Sequence, residues 1–320
     1  MKIQKFNRFT RFSSFAESYM NSISLRVEKS TFQGYQSYLK IHILPYFGNK
    51  YIGFITPQQV QEFVEYLHED LELSAKSIKN IFSLFHSIME RAIKWHYIKE
   101  NPCEFVDLPP LSRKESDYYN EKELKKLIVC LESLPAEELK YKVSIELGFL
   151  CGLRKSEICG LDWKHVDLKK GTVRIVQKRL IIPGEGVVTG KPKTAKSNRM
   201  LALPAPLLAD LITLKKRSSS SSVITNDNGE PIYPQVLARW FDRFLKKNGL
   251  RHISLHKLRH TYATILAHLD VDIKSVSEQL GHAQATTTLN IYTHQFTEVR
   301  EDIAKKITKS LYRKPRKTKP

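Results

Sequence analysis

Apolar residues recur at helical spacing along most of the chain and alternate at a spacing of two only near its middle. Phe12, Phe15 and Tyr19 open the first helical run. Ser30-Thr31 is placed to cap a second, through Tyr35, Tyr38, Leu39 and Ile41, expected to stop before Pro45 and Gly48. Thr56-Pro57 is a start signal, a cap oxygen followed by proline at the first helical position. The helix it opens carries Val60, Phe63, Val64 and Leu67 on one face. Ser74 begins a longer one, apolar at Ile78, Ile81, Phe82, Phe85, Ile88, Met89, Ala92, Ile93 and Trp95. No strand pattern competes over the first hundred residues, so this part is expected to be a small helical bundle.

Asn101-Pro102 ends the bundle, and Leu108-Pro109-Pro110 with Ser112-Arg113-Lys114 reads as an extended linker. The boundaries expected are a first domain over 1–108, a linker over 109–116 and a second domain over 117–320. In the second domain Asn120 and Glu123 form a capping pair ahead of Leu124, Leu127, Ile128 and Leu131. A further helix is expected from about Glu138 to Leu150, broken at Cys151-Gly152-Leu153, with Arg154-Lys155-Ser156-Glu157 opening the next turn. The period then changes: Val166 to Val176 holds a turn followed by alternation, a strand signature. Val187-Val188 and Arg199 to Pro204 flank a lysine-rich segment and are expected in the same small sheet. Helices return over Pro206–Leu214 and Gln235–Lys246, with Ser218 to Ser222 expected to be a solvated turn without a role. The fold class is therefore mainly α with a small antiparallel β-sheet.

Hydrophobic content of 41% and charged content of 27% are ordinary for a globular protein, but the net charge of +19 is not. Such an excess favours a polyanionic partner, nucleic acid before membrane, since no apolar run approaches the ~18 residues of a spanning helix. The basic segment Met1 to Arg11 has no apolar core and is no secretory signal. Cys103, Cys130, Cys151 and Cys159 show no paired spacing and read as reduced core thiols of a cytoplasmic protein. Trp95, Trp163 and Trp240 read as core. On the helical bundle, Lys29, Lys40, Lys76, Lys79, Arg91 and Lys94 are the candidates for contacts to DNA phosphates and base edges. The tail from Lys305 to Pro320 holds eight basic and no acidic residues.

The chemistry gathers near the end. His256 and Arg259 are three apart, so one helix projects both from the same face. Gly281-His282 closes the run Val271, Ile273, Val276, Leu280, with glycine where a helix C-terminus favours one. Tyr292 follows ten residues later. Together these residue types suit binding and attacking a phosphodiester without a metal. A tyrosine can attack phosphorus and conserve the bond energy as a phosphotyrosine, but with an ordinary pKa of about 10 it needs cationic neighbours. Arg154 and Arg259 can clamp the non-bridging oxygens; His282 can donate to one, and His256 can act as acid–base or donor. The loop from Gly190 to Ser197 offers Lys191, Lys193 and Lys196 as the acid for the leaving 5′ oxygen. His256 and His260 have the spacing of a zinc pair, but no third ligand stands out, and no metal or other cofactor is expected.

Four boxes, Gly152-Leu153-Arg154-Lys155-Ser156-Glu157, His256-Lys257-Leu258-Arg259-His260-Thr261, Leu280-Gly281-His282 and Thr287-Thr288-Leu289-Asn290-Ile291-Tyr292-Thr293-His294, resemble the motifs of the tyrosine recombinase (phage integrase) family. The resemblance spans about 117 to 300, an α+β catalytic domain; residues 12–105 resemble, less specifically, the family's helical, SAM-like core-site-binding domain. It implies Arg154 and Arg259 as the arginine pair, His256 and His282 as the accompanying histidines, Tyr292 as nucleophile and Glu157 as the supporting acid. The family's lysine falls in the hairpin loop, where Lys193 fits best, with Lys191 and Lys196 close by. It further implies a 3′-phosphotyrosine, a Holliday-junction intermediate, and four protomers on two DNA duplexes. A C-terminal helix, here 297–312, would dock on a neighbour, with room for an accessory DNA-bending or excision factor. Only 11 residues precede the first expected helix, shorter than the extra arm-site domain that some members carry.

Integrase of a phage or mobile element is thus the expected function, in a cytoplasmic, nucleoid-associated protein with no membrane partner. A chromosome- or plasmid-dimer resolvase or an invertase would share the chemistry. A type IB topoisomerase would share the site in a larger chain, and a DNA-binding protein without chemistry would not need the arginines, histidines and tyrosine together.

Overall fold

The computed structural model describes residues 8–111, 117–182, 186–190 and 198–281. The chain divides into two compact units, residues 1–114 and 115–320. Among the described residues no helix is long and apolar enough to cross a membrane. The architecture is the mainly helical, minor-sheet class that the periodicity predicts.

In the first unit, α1 (Phe12–Ile23) buries Phe12, Phe15, Ala16, Tyr19, Met20 and Ile23, a stripe at helical spacing. Helix α2 (Lys29–Tyr38) follows Glu28 rather than the expected Ser30-Thr31 cap. Nor does it stop before Pro45. It passes through a π-helical turn, Leu39–Ile43, into α3 (Leu44–Phe47), with the Leu44 N–H bonded to the Leu39 carbonyl. The wider turn absorbs the proline, whose ring would collide with the carbonyl four residues back in a regular helix. Helix α4 (Pro57–Glu69) starts on the Thr56 cap, which accepts from the Gln59 N–H at 3.3 Å while Gln59 reaches back. Helix α5 (Ala75–Lys94) starts on Ser74. Phe47 stacks on Phe85 at 4.5 Å and meets Phe63 edge-on, so aromatic rings from three helices close this core. Trp95 departs from the core reading: it stays partly exposed, with its ring against Phe15 and the Arg91 guanidinium.

In the second unit, α6 (Glu121–Glu132) begins with the Asn120–Glu123 capping box. Helix α7 (Leu139–Leu150) is buried from Val143 to Phe149 without a break, which marks a central helix rather than a surface one. After the short α8 (Lys155–Cys159) come β1 (Val166–Asp167), β2 (Thr172–Ile175), β3 (Lys178–Ile182), β4 (Gly186–Gly190) and β5 (Arg199–Ala202). The strands form two antiparallel sheets, β1-β2-β5 and β3-β4. Val187-Val188 therefore lies in a separate ribbon, not in the sheet of Arg199. That ribbon is pegged by Arg179, whose guanidinium donates to the Cys159 carbonyl at 2.8 Å and to Asp162 at 2.9 Å. Ser222 donates to the same carboxylate at 3.1 Å and is 1% exposed. The serine run is thus anchored at its end by a buried bond rather than wholly solvated. Helices α9 (Ala205–Arg217), α10 (Pro234–Lys247), α11 (Leu255–His268) and α12 (Ile273–Leu280) complete the described part.

Candidate active site

Four segments meet around one carboxylate, Glu157. The first is the break after α7. Gly152 holds φ +64°, and a Cβ there would lie 2.5 Å from the Tyr262 ring and 2.9 Å from Leu280. Only glycine fits a left-handed backbone this tightly covered. The turn delivers Arg154 to the N-cap of α8, and Glu157, at the third helical position, accepts the Arg154 backbone N–H at 3.0 Å. This satisfies an orphan donor of the helix start. The Arg154 guanidinium then folds onto the same carboxylate at 2.7 Å and reaches the Gly281 carbonyl at 3.4 Å.

The second segment is α11, which follows Ser254 in extended conformation. It carries His256 in its first turn and Arg259 one turn on, facing the break. Arg259 is buried and donates to the Gly152 carbonyl at 2.7 Å and to the Leu280 carbonyl, with Glu157 at 4.0 Å. The third is α12, whose C-terminus ends on Gly281 at φ 62°. Two guanidiniums on the carbonyls of residues 280 and 281 fix the chain where His282 follows. Cations at these carbonyls also suit the negative end of the helix dipole.

The fourth segment is one that the sequence reading did not assign. Arg199 opens β5, buried, and donates to Glu157 at 2.9 and 3.3 Å and to the Gln279 carbonyl at 2.7 Å. Strand β5 alternates, with Arg199 and Leu201 buried and Met200 and Ala202 exposed. The period of two therefore turns an arginine inward and a methionine outward, a signal that alternation alone contains.

The electrostatics follow from this crowding. Burial pushes the Glu157 carboxyl up, but bonding and charge from Arg199, then Arg154, outweigh it and hold the pKa at about 2. Burial and the neighbouring Arg154 pull Arg259 down to about 9, still charged at neutral pH. Packing around the His256 ring, which keeps an exposed edge, and then the charges of Arg259 and Arg154 lower its pKa. His260 stands edge-on to it at 5.1 Å and is pushed down to about 4 by burial and His256. Tyr262, across the break, is raised to about 12 by burial. Among the described residues three guanidiniums face this one carboxylate, and Arg154, about a third exposed, is the most open of the three. Such a cluster is complementary to a dianionic or phosphodiester group.

Arg154, Glu157, His256 and Arg259 are thus brought together. Lys191, Lys193, Lys196, His282 and Tyr292 lie outside the described residues, as does the segment 297–312 expected to form a docking helix. Lys29, Lys40, Lys76, Lys79 and Lys94 are exposed on the first unit, while Arg91 is half-buried beside Trp95. On α5, Lys76, Lys79, Ser83, Ser87 and Lys94 share one solvent-facing stripe. All four cysteines are free; Cys130, unlike the others, is only half-buried. Among the described residues, no group of three His, Cys, Asp or Glu side chains is placed to hold a metal.

Residues 118–298 match the sequence profile of the phage integrase family, and residues 11–68 that of the phage integrase N-terminal SAM-like domain. The ICEBs1 integrase of Bacillus subtilis (strain 168) is 28% identical over 94% of this chain and 83% of its own. Tyrosine recombinase XerD of Staphylococcus aureus is 26% identical over 91% of this chain and 93% of its own. Among solved structures, the Tn1549 transposon integrase with transposon right end DNA superposes with a TM-score of 0.80 at 22% identity, over 91% of this chain and 98% of that one. A lambda integrase tetramer bound to a Holliday junction gives 0.68 at 20% identity, over 87% and 79%.

Proposed function

Because the chain belongs to the phage integrase family, we propose that it is a site-specific tyrosine recombinase, the integrase of a phage or other mobile element, acting through the pocket around Glu157. The observation that carries this reading is the surplus of guanidinium on that one carboxylate, closed against the end of α12.

In the proposed reaction Arg154 and Arg259 hold the non-bridging oxygens of the scissile phosphate, with His256 and His282 supplying further donors. The Tyr292 hydroxyl attacks phosphorus, the bond to the 5′ oxygen breaks, and Lys193 protonates the leaving oxygen. The 3′-phosphotyrosine keeps a phosphodiester's energy, so attack by the partner strand's 5′-hydroxyl rejoins the DNA and frees the tyrosine. No cofactor is required for balance. Preorganised cations are the main source of rate in such transfers. Neutral His256 at pH 7 is able to accept or relay a proton.

Residues 1–108 serve as the core-site-binding domain, with the α5 stripe among its phosphate contacts; 109–116 link it to the catalytic domain over 117–320. Double-stranded DNA is the partner. The lambda integrase tetramer bound to a Holliday junction and the DNA-bound transposon integrase support assembly of four protomers on DNA; in the proposed scheme they hold two duplexes and are joined through the segment 297–312. An accessory bending or excision factor fits the same scheme, as does a cytoplasmic, nucleoid-associated site of action.

A nicked duplex carrying the element's own end tests the reading. A covalent protein–DNA adduct with the natural protein and none with Tyr292→Phe is expected. Binding without an adduct in either would reject it. A dimer-resolving role, with the same chemistry on another substrate, is the second reading, since a relative named a tyrosine recombinase rather than an integrase matches over 93% of its own length; an adduct on chromosomal dimer sites rather than on element ends would favour it.

A further inference from the structure

Arg199 is not among the arginines that the family resemblance points to, yet its side chain makes three hydrogen bonds in the site where those of Arg154 and Arg259 make two each. Its two terminal nitrogens sit on Glu157 at 2.9 and 3.3 Å, and its Nε sits on the Gln279 carbonyl at 2.7 Å. It stems from β5, an element far in sequence from α8, α11 and α12, at a position where alternation directs a side chain inward. Its neighbour Arg259 binds the adjacent Leu280 carbonyl, and Arg154 the one after that. Three successive carbonyls at the end of α12 are thus held by three different arginines, all of which also face Glu157.

We infer that Arg199 is a positioning residue of the recombinase: it ties Glu157 to the end of α12, so that Arg154 and the residue after Gly281 keep their places relative to one another. Arg199 touches no reacting atom in this scheme. One hand fixes the carboxylate that orients Arg154; the other fixes the backbone that leads to His282. A guanidinium is suited to this because its planar fork donates to the carboxylate from two nitrogens and to the carbonyl from a third, whereas an ammonium has only one nitrogen from which to reach both. The inference rests on the proposed recombinase reading for its catalytic consequence, but its structural half stands alone.

The test uses the full chain with Arg199→Gln and Arg199→Lys. Without DNA, amide hydrogen exchange over residues 278–281 is expected to quicken at least tenfold in both variants, since neither reaches Glu157 and the Gln279 carbonyl together. On the nicked duplex, the Gln variant should bind with affinity within about threefold of the natural protein and form adduct about a hundredfold more slowly, the scale on which small misplacements act. The Lys variant should recover part of that rate while exchange stays fast, because charge beside Glu157 returns but the hold on α12 does not. Unchanged exchange in the two variants would overturn the inference. So would a loss of DNA affinity and melting temperature in proportion to rate, which marks a residue needed only for folding. If Arg199→Gln does not fold, the exchange and rate of the Lys variant decide. A natural protein that forms no adduct would count against the recombinase reading instead, and exchange alone would then judge the tie.

Discussion

Arg199 and Glu157, 42 residues apart in sequence, form a buried ion pair at 2.9 Å in which the carboxylate is 4% exposed. The pair joins a strand of the small sheet to the first turn of α8, and through the Gln279 carbonyl to α12. Buried charges are costly unless bonded on every side, and Glu157 meets that requirement with donors from Arg154, backbone and side chain, as well as Arg199. The carboxylate is therefore a hub and not a surface acid placed for a helix dipole.

Removing the hub should be severe. Glu157→Gln leaves three guanidiniums facing one another, and breaking a buried pair in this way costs about 3–5 kcal/mol. A carboxylate held at about 2 in the folded state, against an ordinary 4.5, contributes stability above pH 4.5 that is lost as pH falls toward 2. The gap in urea midpoint between natural and Gln proteins should thus be full at pH 7 and narrow at pH 3. A gap that does not change with pH would contradict the pairing.

Gly152→Ala should destabilise the chain by at least the ~1–2 kcal/mol of a left-handed alanine, and by more because the new methyl meets Tyr262 at 2.5 Å. Chemical denaturation measures the loss. The adduct rate should fall with it, since the Gly152 carbonyl also holds Arg259.

A second buried acid predicts the opposite pH response. Glu146 on α7 lies beside Asp210 of α9 and Lys142, and burial, then the Asp210 charge, push it up to about 8. A raised carboxyl favours the folded state below pH 4.5 and loses that advantage as pH rises through 8. The natural protein should therefore lose stability across that window, by at most about 1.4 kcal/mol per pH unit. Glu146→Gln should lose less, matching the natural protein near pH 4 and exceeding it at pH 8.5 in thermal melts.

Much of the fold was legible because local signals agreed with tertiary structure. The Thr56, Ser74 and Asn120 caps, and the break at Gly152, lie where their side chains satisfy orphan backbone donors or where φ must be positive. Arg154, Glu157, His256 and Arg259 were readable as separate boxes. Pro45 misled because a π-turn lets a helix pass a proline that would end a regular one. The split into two sheets was hidden because β2 skips the local β3-β4 hairpin to pair with β5, a long-range register that no local pattern announces. Arg199 was missed because residue type argued for the surface while its alternation with Met200 argued inward, and only packing decides between them.

The net charge of +19 predicts steep salt dependence of non-specific DNA binding, because each neutralised phosphate releases counterions. Between 50 and 200 mM salt, affinity should fall by orders of magnitude. Replacing Lys76, Lys79 and Lys94 together with Gln should flatten the slope of log affinity against log salt by up to about three charges. An unchanged slope would remove the α5 stripe from the interface.

In the proposed reaction the arginines around Glu157 present a phosphodiester to Tyr292. Digesting the covalent adduct with trypsin separates residues 275–300, which hold Tyr292, from 260–274, which hold Tyr262, the tyrosine packed over Gly152 with its pKa raised to about 12. Mass spectrometry should find the nucleotide on Tyr292 in the 275–300 peptide. A nucleotide on Tyr262, or on any residue outside that peptide, would contradict the account.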